Sequence, residues 1–171
     1  MSTPYNPPAE LVVIVDRENN VIGSVTRREM RERGLLHRST YILALRANGD
    51  LFVQRRTTTK DVYPGYWDPA AGGVVQAGES YEESAARELE EELGIRGVPV
   101  EPLFEFFLED GSIRVWGMAF RATYDGQLTL QPEEVAGGEY MSIAEILRRS
   151  ESEQFTPDGI HVIRRYQEMY T

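Results

Sequence analysis

Residues 73–95 read GVVQAGESYEESAARELEEELGI, and this stretch dictates a local architecture before any other part of the chain is considered. Ser80 followed by Glu83 makes a capping box, in which hydroxyl and carboxylate satisfy each other's backbone N–H groups at the start of a helix. Gly94 supplies the left-handed residue that ends such a helix. Gly72, Gly73 and Gly78 surround a short loop behind an apolar run, so the order is strand, glycine-rich loop, helix. The far end of that helix is electrostatically awkward. Glu88, Glu91 and Glu92 fall on one arc of its surface, while Glu90 points away from them. Like charges at this spacing cost roughly a few tenths of a kcal/mol per pair, and the negative end of the helix dipole adds to that. Over residues 81–93 six glutamates face a single cation, Arg87. A plain solvated face could carry such a cluster. The capped helix and the glycine loop in front of it point instead to a built site with a positive partner, for which a hard divalent cation is the candidate.

The same residues carry a family resemblance. The segment resembles the Nudix box: Gly, five residues, Glu, seven residues, Arg-Glu, a bulky apolar residue, one residue, Glu-Glu, one residue, Gly, and a bulky apolar residue. Here these are Gly73, Glu79, Arg87, Glu88, Leu89, Glu91, Glu92, Gly94 and Ile95. Seven positions fixed to one residue type, each at roughly 7% usage, match by chance on the order of once in a hundred million windows. The resemblance to Nudix hydrolases implies that Glu88, Glu91 and Glu92 bind Mg²⁺ or Mn²⁺, one of them also orienting or deprotonating the attacking water. It implies a further ligand in the Gly73 carbonyl, and a Glu79–Arg87 pair that aims the carboxylates without binding metal. The implied fold is α+β, a mixed β-sheet sandwiched between α-helices. The implied reaction is hydrolysis of a diphosphate bond in a nucleoside diphosphate-linked or similar small molecule, by water attack at phosphorus.

Composition narrows the remaining possibilities. A chain of 171 residues suits one domain with a proper core, expected over residues 10–171 behind a flexible segment at residues 1–9. There is no cysteine, which excludes disulfides, zinc–thiolate centres and thiol nucleophiles. No apolar run reaches the roughly 18 residues of a membrane span, and the opening MSTPYNPPAE lacks the regions of a signal peptide. A cytoplasmic protein with no membrane partner is therefore expected. The net charge of −10 disfavours long nucleic acids and leaves any phosphate to be held by local cations and a metal. The resemblance carries a homodimer as a further expectation.

Turn and cap signals predict the rest. Strands are expected over residues 11–16 and 21–25 around Asn19-Asn20, followed by a short helix from a Thr26/Glu29 capping box to Gly34. Residues 39–47 and 51–56 form a hairpin over Asn48-Gly49, and residues 57–67 a polar loop. Residues 70–75 are the strand entering the box. A second hairpin joins residues 100–109 and 114–123. A strand at 128–130, a loop at 132–138, a strand at 139–141 and helices at 142–149 and 158–170 complete the chain.

Beyond the box, His37, Arg55-Arg56, Lys60, Pro64-Gly65, Trp67 and Phe155-Thr156-Pro157 resemble type I isopentenyl-diphosphate isomerases and, more closely, bacterial Nudix hydrolases related to them. That resemblance implies diphosphate binding by Arg56 and Lys60, with Arg55 beside them. It also argues against isomerase activity. The isomerase's catalytic cysteine matches Gly72, a histidine ligand after it matches Val74, another matches Met30, its glutamate pair falls within residues 113–116, and its tryptophan after the Phe-x-Pro run matches Asp158. Glu133 and Glu134 resemble an acidic loop that supplies a further ligand or base in many Nudix enzymes. His37 reads as a hydrogen-bonded structural residue or a ligand, and His161 as surface or packing. Tyr63, Tyr66, Phe104, Phe106 and Trp116 are either core or platforms for a nucleobase.

Overall fold

The computed structural model of the chain describes residues 9–111 and 113–170. The expected flexible segment at residues 1–9 falls, apart from Ala9, outside the described residues. Strands β1 (Leu11–Val15) and β2 (Val21–Thr26) form an antiparallel hairpin, closed by Asp16 Oδ1 accepting from the Asn20 and Glu18 N–H groups at 2.9 and 3.0 Å. Thr26 caps α1 (Arg27–Arg33) by accepting from the Glu29 N–H. The reciprocal half of the expected box is replaced, because the Glu29 carboxylate pairs with Arg33 one turn on, at 3.3 Å.

The strand β3 (His37–Leu45) is buried along almost its whole length and organises the molecule. It pairs in parallel with β7 (Ile113–Thr123), which pairs in turn with β6 (Glu101–Asp110) in the expected second hairpin. The hairpin expected between residues 39–47 and 51–56 survives only at its turn. β3 meets β4 (Leu51–Arg56) at Leu45 and Leu51 and the two then diverge. The reason lies in residues 70–76, which are not the regular strand expected. They form isolated bridges, Ala71 to Ile42 and Val74 to Ser39 on β3 and Gln76 to Val12 on β1, and the first two occupy the edge of β3 that β4 would otherwise take. β4 pairs instead with β8 (Val135–Met141) and with the two-residue β5 (Trp67–Asp68). β8 starts earlier than residue 139, since Gly137 and Gly138 join the ladder opposite Arg55 and Gln54.

Both faces of this mixed sheet are covered, as the near-continuous burial along β3 requires. Tyr41, Leu43 and Leu45 face α3 (Ile143–Arg149) and α4 (Pro157–Tyr170), packing with Ile146, Val162, Ile163 and Tyr166. Ile42 and Ala44 face α2 (Tyr81–Leu93), packing with Ala85, Leu89 and Leu93 at helical spacing. Burying a side chain such as Leu89 fully contributes about 1.5–3 kcal/mol. α2 begins with both halves of the Ser80/Glu83 capping box and ends at Gly94 with φ of 70°. Residues 128–130 are not a strand. They run past the end of α2, where Thr129 and Gln131 donate N–H groups to the Leu93 and Glu92 carbonyls, each at 3.0 Å. Carbonyls that a helix end leaves without partners are satisfied this way.

Candidate active site

The glycine loop is locked to β3 backbone to backbone. Thr40 N–H donates to the Gly73 carbonyl at 2.9 Å, and Ala71 and Ile42 exchange both of their bonds. Gly72 has φ of 131°, and a Cβ there would lie 2.1 Å from the Thr40 carbonyl oxygen, so no side chain fits. A Cβ on Gly73 would stand 3.0 Å from Glu88 Oε1, which puts the bare backbone against a carboxylate of the helix.

Glu92 sits beside Leu89 and Leu93 on the packed face of α2 and is 3% exposed. Its Oε2 accepts from the Gly72 N–H at 2.9 Å. Burial, with the Glu88 charge adding, pushes its carboxyl up to about 8. Burial also raises Glu88, and among its neighbours Glu91 and Glu10 raise it further while Arg87 lowers it. Arg87 forks onto Glu79 at 2.6 and 3.0 Å, and its remaining nitrogen reaches Glu88 at 3.0 Å and Glu91 at 3.1 Å. Glu79 Oε1 also accepts from the Gln76 N–H. The sequence placed Glu88, Glu91 and Glu92 together on one arc. The structure buries Glu92 and part-buries Glu88 beside the glycine loop, and leaves Glu91 half exposed against Arg87.

A cavity opens from this loop through the wedge between β3 and β4. Gly72 and Gly73 line its α2 side, Arg27, Arg31, Arg56 and Lys60 supply cations, and Tyr41, Asp68, Thr156 and Asp158 line its α4 side. Arg56 reaches the cavity while donating to the Val62 and Tyr63 carbonyls at 2.8–3.3 Å and lying 3.5 Å from Asp68. Arg55, expected beside it, points to the other face of β4 and stacks on Trp67. Lys60 is part-buried in a contact with Glu134. Burial, with Arg56 adding, pulls the Lys60 ammonium down to about 8, and burial pushes the Glu134 carboxyl up to about 7. Glu133 is exposed, and its carbonyl accepts from Thr57. Asp61 ties the loop to α1 through Arg27 and Arg31 at 3.2 and 3.1 Å; despite its burial, these cations hold its carboxyl below the usual range.

His37 is buried against the cavity with Nδ1 2.9 Å from the Leu35 carbonyl, and burial with the Arg31 charge pulls it down to about 3. It is therefore a neutral ring anchored to the backbone. Of the five aromatic candidates only Tyr63 lines the cavity. Phe104 and Phe106 are core, and Trp116 packs on Phe107 with its indole N–H on the Arg17 carbonyl. Sequence reasoning overlooked Glu10, Arg27, Arg31, Tyr41 and Asp68, which come from separate elements and share no local spacing.

The donor set suits a hard dication. It offers the carboxylate oxygens of Glu88 and Glu92, whose mutual repulsion a cation would relieve, beside a Gly73 carbonyl that accepts from the Thr40 N–H at 2.9 Å and from its hydroxyl at the longer distance of 3.4 Å. Among the described residues no three carboxylate or imidazole groups converge as a cage.

A NUDIX domain model matches residues 35–166. The chain is 47% identical over 158 residues to the "Uncharacterized Nudix hydrolase PA4841" of Pseudomonas aeruginosa, covering 92% of this chain and 94% of that one. It is 46% identical over 154 residues to the "Uncharacterized Nudix hydrolase YfcD" of Escherichia coli K12, covering 90% and 84%. The solved structure of DR0079 from Deinococcus radiodurans superposes with a TM-score of 0.81 at 27% identity, covering 91% of this chain and 98% of that one. A MutT protein from Methanosarcina mazei Go1 gives 0.65 at 26% identity, covering 78% and 96%. The chain belongs to the Nudix family. It is a hydrolase of the class that acts on pyrophosphate bonds in small molecules, generally with divalent cations.

Proposed function

We propose that this protein cleaves the diphosphate bond of a nucleoside diphosphate-linked or similar small molecule, with Mg²⁺ or Mn²⁺, by water attack at phosphorus. The observation that carries this reading is the pair of the part-buried Glu88 and the buried Glu92, set against the bare backbone of Gly72 and Gly73 at a cavity rich in cations. Glu88, Glu92 and the Gly73 carbonyl would hold the metal, with Glu91 adding to the shell. When bound, a divalent cation supplies positive charge to the diphosphate and makes a coordinated water more acidic. The Gly72 N–H fixes one oxygen of Glu92 and so leaves the other to accept a proton or a ligand. Arg87, held by Glu79, sets the orientation of Glu88 and Glu91. Arg56 and Lys60 would bind phosphate oxygens, Lys60 exchanging Glu134 for the substrate and freeing that carboxylate as an additional base. A cytoplasmic setting accompanies this reading, since phosphorylated small molecules are retained there.

Incubation with Mg²⁺ and a panel of nucleoside diphosphates, triphosphates, dinucleotides and nucleotide sugars tests the proposal. Release of phosphate, diphosphate or nucleoside monophosphate is expected. Saturable binding without product would mark a non-catalytic sensor instead. The isomerase alternative is disfavoured by the backbone as well as by composition, because the position that would need cysteine is Gly72, where the Thr40 carbonyl leaves no room for Cβ. Double-bond migration on isopentenyl diphosphate would revive it.

A further inference from the structure

The α4 side of the cavity is built from groups that the reaction at the glycine loop does not use. Asp68 lies at the end of β5 and Asp158 in the first turn of α4, and both line the cavity. Their partners among the described residues are few. Asp68 accepts from the Ala70 N–H at 3.0 Å and has Arg56 at 3.5 Å, while Asp158 Oδ2 accepts from the Tyr41 hydroxyl at 2.9 Å. Arg56 spends its shorter bonds on the Val62 and Tyr63 carbonyls. Two carboxylates offer about eight acceptor positions, and these contacts fill a minority of them. Thr156, 1% exposed, lies beside the Asp68 carboxylate and lines the same wall, and its hydroxyl has no well-formed hydrogen bond. The wall is held rigidly. Trp67 exchanges backbone bonds with Gln154 and Thr156, and the Trp67 ring stacks on Phe155, so β5 and the start of α4 move as one unit.

The same cavity holds the glycine loop, the cations of Arg27, Arg31, Arg56 and Lys60, and this excess of acceptors, with Arg56 3.5 Å from Asp68 joining the two. Pressing a hydrocarbon group onto this wall would strip water from two carboxylates and return nothing, whereas an N–H donor would replace the lost water bonds. We propose that Asp68 and Asp158, the latter positioned by Tyr41, form an acceptor site that selects diphosphate substrates whose non-phosphate part carries an amino group, whose two N–H donors can serve both carboxylates. This rests on the hydrolase reading above and names the substrate class within it.

Matched compounds test the idea: adenosine against inosine diphosphate, cytidine against uridine diphosphate, and isopentenyl diphosphate as the hydrocarbon case. In each nucleotide pair an exocyclic amine is exchanged for a carbonyl. The expected result is a kcat/KM at least about 10-fold higher for an amine-bearing member than for its carbonyl counterpart, with the prenyl compound poorer still. Asp158→Asn should reduce that ratio towards one, and Tyr41→Phe should reduce it in part while circular dichroism shows both variants folded. Calorimetric titration of the same compounds, with calcium in place of magnesium to suppress turnover, reads the preference even without hydrolysis. Hydrolysis with no amine preference would overturn this inference and leave the hydrolase reading intact. A preference that survives in Asp158→Asn would overturn the assignment to these residues. Absence of hydrolysis together with selective binding would overturn the hydrolase reading and keep the acceptor site.

Discussion

Glu92 occupies a helix position that packing alone would give to an apolar residue. It lies three residues after Leu89 on the buried face of α2, tied to the loop by the Gly72 N–H. An uncharged glutamine fits the same space, so Glu92→Gln should fold normally yet lower turnover by roughly 10²–10³-fold, the range for loss of one strong charged group at a reaction centre. Steady-state kinetics with Mg²⁺ decides it, and a variant within a few-fold of the parent would remove Glu92 from the mechanism. Asp68 supports a prediction about stability. Burial, with the Asp158 charge adding, pushes its carboxyl up to about 6 although Arg56 opposes the shift. The folded chain thus keeps a proton that the unfolded chain, titrating from 3.8, has already released. Stability falls as pH rises through that window and levels off above it. Asp68→Asn lacks this slope, so its melting temperature relative to the parent should climb from about pH 4 to about pH 6 and then stay constant. A difference that does not vary with pH would show that Asp68 titrates normally.

At the scale of elements, α2 and its loop separate two kinds of contribution. The Ser80 cap is local and remote from the carboxylates, so Ser80→Ala should cost about 1 kcal/mol. That lowers the melting temperature by about 2–4 °C for a chain of this size, with turnover little changed. Gly72→Ala sets a Cβ against the Thr40 carbonyl and must pull the loop from β3. It should lose at least as much stability and also most activity. If both variants kept full activity, the link between the β3 edge and the site would be refuted. The same contrast explains what could be read from the chain. Features written in neighbouring residues were legible: the box, both ends of α2 and the turn at Asn48-Gly49. The strand pairing was not, because the edge of β3 is claimed by residues 70–76 from further along the chain, and nothing near residues 39–56 signals that competition. For the same reason Arg56 could be placed at the cavity from its motif, whereas Tyr41, Asp68 and Asp158 become neighbours only once β3, β5 and α4 have assembled.

For the molecule as a whole, the proposed metal would be a stabilising ligand as well as a reagent, since Glu88 and Glu92 sit together in a chain of net charge −10. A dication at about 100 times its Kd should add about 2.7 kcal/mol, which is about 5–10 °C in melting temperature. Scanning calorimetry with MgCl₂ and then with chelator should show that shift and its reversal, and Glu92→Gln should lose most of it. A melting temperature indifferent to both would mean that the acids hold no metal. The parallel pairing of β3 with β7 has a consequence during synthesis. His37 through Leu45 lie opposite Val115 through Thr123, so a nascent chain that has left the ribosome only as far as β6 carries its central strand with one edge bare. Long-range parallel pairing of this kind forms late. The carboxylates are made early, but they acquire their geometry only after residue 123 has emerged.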